Sequence, residues 1–166
     1  MYLMENHPPA VLLVCTANIC RSPIAEGLLK ALVARQVEGG YFWRIESAGT
    51  WTRPGLLAAP FSVQVMAERG IDISNHTSQS IEDVDLSEFD LILTMESGHK
   101  EAIRVEFPET RERVLMLKEL VNQKTPIADP VGQPIEVFRQ TANEIEQTLH
   151  QGLPVILQMV SQQRKP

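Results

Sequence analysis

The sequence is poor in cysteine, in positive charge and in long apolar runs. Cys15 and Cys20 are its two cysteines, too few for a disulfide framework and without the paired ligands of a structural zinc site. The formal net charge of −6 gives no broad basic field to attract nucleic acid or anionic lipid. Apolar runs such as Ala10–Val14 are far shorter than the ~20 residues of a membrane span. We therefore expect a cytoplasmic protein with no nucleic-acid partner and no membrane partner.

Length and composition indicate one folded unit. A chain of 166 residues with 43% hydrophobic content can bury one core and is too short for two well-buried domains. We predict a single domain over residues 1–166, in which residues 1–9 form a flexible tail. That tail has neither a basic n-region nor an apolar h-region, so no secretory leader is expected.

Apolar runs alternate with segments of helical periodicity. The first run is continuous and rich in valine, which is typical of a strand buried on both faces. Strands alternating with helices in one domain predict an α/β fold, a parallel sheet with helices on both faces. Sites in such sheets lie at the carboxyl ends of the strands. The predicted strands are Ala10–Val14, Trp43–Ala48, Asp90–Met95 and Val114–Leu117.

Serine, proline and glycine mark the expected helix ends. Ser22 and Ser97 are predicted to be N-caps, the first followed by proline in the first helical turn. Gly152 and Pro154 are expected to break or kink the last helix. The predicted helices begin at Pro23, span Pro60–Arg69, run from Ser97 to Phe107, and begin at Pro134, with an irregular stretch over Ile71–Glu88.

The turn after the first predicted strand carries the most informative chemistry. Residues 15–22 read Cys-Thr-Ala-Asn-Ile-Cys-Arg-Ser, between a buried strand and a helix start. Successive backbone N–H groups in such a turn, together with the positive end of the helix dipole, form a site for a phosphate-sized anion. The same field favours a thiolate at Cys15, because a helix N-terminus and an arginine both stabilise that form. We predict that Cys15 is a nucleophile.

Three neighbours of Cys15 have predicted tasks in this turn. The planar guanidinium of Arg21 can bind two phosphate oxygens at once, which lysine cannot. Ser22 is placed to donate a hydrogen bond to the cysteine sulfur, and Asn18 tolerates the unusual backbone angles of a tight loop. The alternative is a buried structural cysteine before an ordinary helix start, since short patterns of this kind also arise by chance.

Residues 14–23, Val-Cys-Thr-Ala-Asn-Ile-Cys-Arg-Ser-Pro, resemble the active-site signature of low-molecular-weight protein tyrosine phosphatases. The resemblance continues in order from about Val11 to Leu149. Its further segments are Ser47–Thr50, Gly70–His76, Asp90–Met95 and Asp129-Pro130.

The resemblance implies a three-layer αβα fold with a four-stranded parallel sheet and the phosphate loop between the first strand and the first helix. It implies cysteine-dependent dephosphorylation of phosphotyrosine in proteins through a cysteinyl-phosphate, with Cys15, Arg21 and Asp129 as catalytic residues and no metal or cofactor. Asp129 would protonate the leaving oxygen and then accept a proton from water, although Asp-Pro alone is often merely a turn. The residues implied to bind phosphate or to support the loop are Thr16, Ala17, Asn18, Ile19, Cys20, Ser22, Ser47 and His76.

Three positions depart from the family pattern. Ala17 stands where glycine is usual, and a positive φ there would cost about 1 kcal/mol. Val131 replaces an aromatic residue that usually lines the cleft, which reduces the wall beside a phenyl ring, and Gln79 replaces a basic residue. The predicted cleft residues are Ile19, Trp51 and Val131.

Other functions stay open at this point. A protein-arginine phosphatase is the first alternative, because His99-Lys100 and Leu117–Val121 resemble bacterial members with that activity. Ile19 opposes this alternative, since the arginine-directed members carry threonine there. An arsenate reductase would need further distal cysteines, and the last alternative is an inactive module that binds phosphate or senses oxidants.

Three further residues near the predicted site have expected roles. Cys20 either resolves an oxidised Cys15 as a disulfide or simply packs behind the loop. His76 is expected to support the loop, because a nucleophile that is already a thiolate needs no base. His99 is expected to face solvent near a helix start.

Overall fold

The chain folds around a four-stranded parallel sheet in the order β2-β1-β3-β4. The computed structural model describes residues 7–164, so the predicted tail lies largely outside the described residues. All three strand pairs are parallel, and the predicted α/β class is confirmed. The strands are β1 (Ala10–Cys15), β2 (Arg44–Gly49), β3 (Leu91–Thr94) and β4 (Val114–Met116), each end within one residue of its predicted bound.

Helices cover both faces of the sheet. Val11 and Leu13 pack into one core with α1, α2 and α4, whereas Leu12 and Val14 pack into a second core with residues of α3 and the short helices near it. Both faces of β1 are therefore buried, as its continuous apolar sequence predicts. The α-helices are α1 (Arg21–Gln36), α2 (Pro60–Ala67), α3 (Ser97–Glu106) and α4 (Ile135–Gln163), and the 3-10 helices are Gly40–Phe42, Ile81–Asp83, Leu86–Glu88, Pro108–Arg113 and Leu117–Val121.

Two predicted N-caps are wrong. Helix α1 begins at Arg21 with Cys20 as its N-cap, and α3 begins at Ser97 with Glu96 as its N-cap. Neither cap residue makes a side-chain capping bond. The hydroxyl of Ser22 instead contacts two side chains of the loop, those of Cys15 and Asn18.

The last helix does not break at Gly152 or Pro154, because α4 is continuous from Ile135 to Gln163. Gly152 allows close packing: a Cβ at that position would lie 2.6 Å from Cβ of Leu120. Pro154 removes one backbone donor, and the residue that loses this partner, His150, is exposed to water. Tertiary packing thus overrides two local breakers.

Within residues 7–164, no helix is both long enough and apolar enough to cross a membrane.

Candidate active site

The loop between β1 and α1 has its carbonyl oxygens held from outside. Those of Cys15 and Thr16 accept hydrogen bonds from the N–H groups of Thr50 and Trp51, each at 3.0 Å, and that of Ile19 accepts one from Ala59 at 2.8 Å. A loop whose carbonyls turn outward presents its N–H groups to the interior, where they can bind an anion.

A close approach of strand β2 makes the contacts of Thr50 and Trp51 possible. A Cβ at Gly49 would lie 2.6 Å from the carbonyl oxygen of Thr16, so glycine is required at this end of the strand. Ala17 has no positive φ, and the strain considered for an alanine at this position does not arise.

Asn18 is the centre of a buried hydrogen-bond network. Its φ is +57°, and its Nδ2 donates to Oγ of Ser22 at 2.8 Å and to Oγ of Ser47 at 2.9 Å. The N–H of Gln79 donates to its Oδ1 at 3.0 Å, and Nε2 of His76 lies 2.7 Å from its carbonyl oxygen. Two segments outside the loop, strand β2 and residues 76–79, therefore fix it. The contribution of Gln79 was missed, because a backbone donor leaves no mark in the sequence.

Both cysteines are free thiols and both are buried. Sγ of Cys15 lies 3.0 Å from Oγ of Ser22, the partner predicted for it. Burial raises the pKa of Cys20 to about 12, with further contributions from Asp129 and Cys15. Cys20 is therefore a protonated thiol at neutral pH.

Arg21 is 1% exposed and lies within reach of four acceptors, the most distant being Oγ1 of Thr16 at 3.5 Å from Nη2. Its Nη1 donates to the carbonyl oxygen of Ile127 at 2.8 Å and lies 3.2 Å from Oε1 of Glu96. Its Nη2 lies 3.4 Å from Oδ2 of Asp129. Its Nε is buried and has no partner. Since a buried donor without a partner is costly, this nitrogen is a ready site for a ligand oxygen.

Asp129 is distant from the phosphate loop in sequence, and the backbone of Ile127, two residues before it, holds its segment beside the loop. The N–H of Ile127 donates to the carbonyl oxygen of Met95 at the end of β3, at 2.9 Å. This bond and the bond from Arg21 fix the segment beside the phosphate loop. Oδ1 of Asp129 accepts a hydrogen bond from the N–H of Val131 at 3.1 Å, which orients the carboxyl group.

His99 does not face solvent, so the exposure predicted for it from the sequence is wrong. The side chain is buried, with Nε2 2.9 Å from Oγ1 of Thr16 and 3.3 Å from Oε2 of Glu96. Glu96, which contacts both His99 and Arg21, was not predicted from the sequence. Both residues follow β3, and their position at the carboxyl edge of the sheet was the available signal.

The predicted catalytic and cleft residues line one cleft of about 250 Å³. Trp51 is 83% exposed and Val131 is 56% exposed, so both lie at the mouth. Two depressions elsewhere on the described surface, of about 350 Å³ and 770 Å³, contain neither cysteine. The cleft lining is Cys15, Thr16, Ala17, Ile19, Cys20, Arg21, Trp51, Thr52, Arg53, Leu56, Asp129 and Val131.

A parallel α/β sheet with a cysteine at the end of a central strand, followed by an anion-binding loop, has the architecture of a cysteine-dependent phosphatase. The chain matches the family described as low molecular weight phosphotyrosine protein phosphatase over residues 10–165. It belongs to that family and is a phosphatase, with Cys15 in the phosphate loop.

Similar proteins include enzymes named as arginine phosphatases and enzymes named as tyrosine phosphatases. A protein-arginine-phosphatase of Bacillus subtilis (strain 168) is 35% identical over 142 residues, covering 85% of this chain and 92% of that protein. The low molecular weight protein-tyrosine-phosphatase Wzb of Escherichia coli (strain K12) is 33% identical over 141 residues, covering 85% and 90%. The solved structure of a low molecular weight protein tyrosine phosphatase from T. tengcongensis has a TM-score of 0.81 at 35% identity, covering 88% of this chain and 98% of that one. The family therefore implies phosphorylated proteins as substrates.

Proposed function

We propose that this phosphatase hydrolyses phosphotyrosine in proteins, with Cys15 as nucleophile, Arg21 as phosphate clamp and Asp129 as general acid. The observation that carries the proposal is their convergence on one cleft, together with the apolar side chain of Ile19 and the exposed ring of Trp51. A thiolate, a bidentate cation and a carboxyl group beside an apolar slot suit an aryl phosphate.

In the first step the sulfur of Cys15 attacks phosphorus. The S–P bond forms as the P–O bond to tyrosine breaks, and the leaving oxygen takes the proton of Asp129. Ser22, with Oγ 3.0 Å from the sulfur, can donate a hydrogen bond that stabilises the thiolate before attack.

In the second step water attacks the cysteinyl-phosphate. The Asp129 carboxylate accepts a proton from that water, the S–P bond breaks, and inorganic phosphate leaves as the Cys15 thiolate re-forms. Arg21 stabilises the charge on the phosphoryl oxygens in both steps. Its unpaired Nε and its Nη2, whose contacts at 3.4 Å and 3.5 Å are long, are the nitrogens available to two of those oxygens.

Ile19 and the cleft charges favour phosphotyrosine over phosphoarginine. The side chain of Ile19 has no group that can pair with a guanidinium, and leaving a buried polar group unpaired costs about 1 to 3 kcal/mol. The cleft lining contains two basic residues, Arg21 and Arg53, and one acidic residue, Asp129. This excess of positive charge disfavours the cationic guanidinium of phosphoarginine. Val131 removes an aromatic wall, worth about 0.5 to 1.5 kcal/mol of ring contact, so the affinity is expected to be weaker while the preference stays.

Phosphoarginine in proteins is the second candidate substrate. Relatives that are 35% and 38% identical are named protein-arginine-phosphatase, which favours this candidate at the level of overall similarity. The loop chemistry at Ile19 favours the first candidate.

A cytoplasmic location and a single phosphatase domain over residues 1–166 are part of the same proposal. Free thiols at both Cys15 and Cys20 fit a reducing compartment. The continuous sheet and its two cores support one domain over the described residues.

The test is a specificity panel with one peptide sequence that carries phosphotyrosine, phosphoarginine or phosphoserine, alongside arsenate reduction. We expect kcat/KM to be highest for phosphotyrosine by roughly tenfold to a hundredfold over phosphoarginine. Preference for phosphoarginine would move the assignment to the second candidate. Cys15→Ser is the control, and activity that survives it would exclude the cysteine mechanism altogether.

A further inference from the structure

His99 is buried against the phosphate loop although it belongs to a different helix. It is 6% exposed and lies in the first turn of α3. Its Nε2 is 2.9 Å from Oγ1 of Thr16, the residue after the nucleophile, and 3.3 Å from Oε2 of Glu96. Its Nδ1 is buried and has no partner. All the polar contacts of this ring are thus made through one nitrogen.

The surroundings specify which nitrogen of His99 carries the proton. A carboxylate can only accept, so Nε2 must bear hydrogen to lie beside Glu96 without repulsion. Hydrogen on Nδ1 would be a buried donor with no acceptor. Burial lowers the pKa of His99, Arg21 lowers it further, and Glu96 and Asp129 oppose that shift. The ring is therefore a neutral imidazole with its hydrogen on Nε2.

The contacts of His99 close a circuit around the phosphate clamp. Glu96 places Oε2 on His99 and Oε1 3.2 Å from Nη1 of Arg21. Thr16, the second partner of Nε2, has Oγ1 3.5 Å from Nη2 of Arg21. Rotation of the guanidinium would break contacts with both Glu96 and Thr16, and the imidazole limits the movement of both.

We infer that His99 is a positioning residue that holds Arg21 in its phosphate-binding orientation, acting through Glu96 and Thr16. Proximity and orientation contribute to catalysis when the binding group is already in place. The clamp contacts the phosphoryl group in the bound state and in the transition state, so loss of His99 should weaken both phosphate affinity and turnover. This inference rests on the proposed role of Arg21 and does not depend on whether tyrosine or arginine is the leaving group.

Two amide variants separate the role of Nε2 from simple filling of space. The amide nitrogen of glutamine can take the place of Nε2, whereas that of asparagine reaches only the place of Nδ1, where no partner exists. We expect His99→Gln to stay within about threefold of wild type, and His99→Asn and His99→Ala to lose roughly tenfold to a hundredfold in kcat/KM for p-nitrophenyl phosphate. The inhibition constant of inorganic phosphate should rise in the same two variants. His150→Ala, which removes an exposed histidine of α4, is the matched control and should match wild type.

Thermal unfolding of each variant identifies any loss that comes from misfolding. Equal kcat/KM and equal phosphate inhibition in folded His99→Asn and His99→Gln would overturn the inference, as would an unchanged phosphate inhibition constant in folded His99→Ala. If the variants do not fold, the ¹⁵N NMR shifts of the His99 ring in wild type decide. Hydrogen on Nε2 and a signal that moves as phosphate saturates the site are expected, and hydrogen on Nδ1 would refute it. Wild-type protein inactive on p-nitrophenyl phosphate would count against the proposed function itself.

Discussion

Replacing Asp129 with asparagine is expected to remove the proposed proton donor while leaving the geometry of its segment in place. Oδ1 of Asp129 accepts the N–H of Val131 at 3.1 Å, and the amide oxygen of asparagine can accept the same bond. The segment also stays tied by the bonds of Ile127 to Arg21 and Met95. What the variant loses is a proton for the leaving oxygen and a negative charge 3.4 Å from Nη2 of Arg21.

The lost proton should lower kcat, whereas the lost charge should change the affinity for inorganic phosphate. A positioned general acid contributes about a hundredfold or more, which corresponds to about 2.7 kcal/mol of activation free energy, so kcat should fall by at least two orders of magnitude. The lost carboxylate is a competitor for the guanidinium, so inorganic phosphate should bind Asp129→Asn as tightly as wild type or more tightly. A large fall in kcat with no weakening of phosphate binding is the expected signature.

The assay is a series of aryl phosphates whose leaving groups differ in basicity. Basic leaving groups most need a proton, so the ratio of wild-type kcat to variant kcat should grow along the series, from p-nitrophenyl phosphate to phenyl phosphate. Phenyl phosphate hydrolysis by Asp129→Asn within about threefold of wild type would refute the role of Asp129 as the acid.

Substitutions at Ile19, Cys20 and Gly152 should change the substrate preference, the recovery from oxidation and the stability, respectively. Ile19→Thr should shift the kcat/KM ratio toward phosphoarginine peptides by about tenfold or more, because a hydroxyl can pair with the guanidinium; an unchanged ratio would remove this residue as a determinant. After peroxide treatment, wild type should recover activity with dithiothreitol and Cys20→Ser should recover much less, since only wild type can convert the sulfenic acid of the nucleophile to a disulfide with release of water; equal recovery would exclude protection. Because the pKa of Cys20 is about 12, disulfide closure should be slow, and protection should be greatest at low peroxide. Gly152→Ala should cost about 1 to 3 kcal/mol of unfolding free energy, because its Cβ would meet Leu120 at 2.6 Å, whereas Gly98→Ala, with open space at its Cβ, should not destabilise the protein.

The strand and the loop that carry the nucleophile could be predicted from the sequence because they are contiguous. Ala10–Val14 is apolar at every position, and a strand buried on both faces needs no distant information. Residues 15–22 follow without interruption, so the spacing of Cys15 and Arg21 predicts the position of the site.

His99 and Glu96 could not be assigned in the same way because their partners belong to another element. Both lie where α3 begins, and a histidine in a polar first turn is usually exposed. The contact with Thr16 exists because β1 and β3 are neighbours in the sheet, which brings the residues after each strand to the same edge. Strand order therefore decides their burial, and local patterning carries no record of it.

Pro154 shows the opposite failure, in which a correct local rule is overridden. Proline in a helix interior removes a hydrogen bond and is costly, yet α4 runs without a break through Pro154 from Ile135 to Gln163. Leu153, Ile156 and Val160 are buried in the core that α4 forms with α1, α2 and one face of the sheet. The free energy of that burial exceeds the cost of the lost hydrogen bond. The sequence showed the breaker but not the surface against which the helix packs.

The proposed mechanism requires that the phosphoryl group of phosphotyrosine passes through the sulfur of Cys15. Wild-type enzyme mixed with a phosphotyrosine peptide, quenched in acid within one turnover and mapped by mass spectrometry tests it directly. We expect one phosphoryl group on Cys15 that decays as inorganic phosphate is released. The Cys15→Ser variant, mixed and quenched in the same way, should carry no phosphorylated cysteine. Release of phosphate with no phosphorylated cysteine, or with the phosphoryl group on Cys20, would contradict the account.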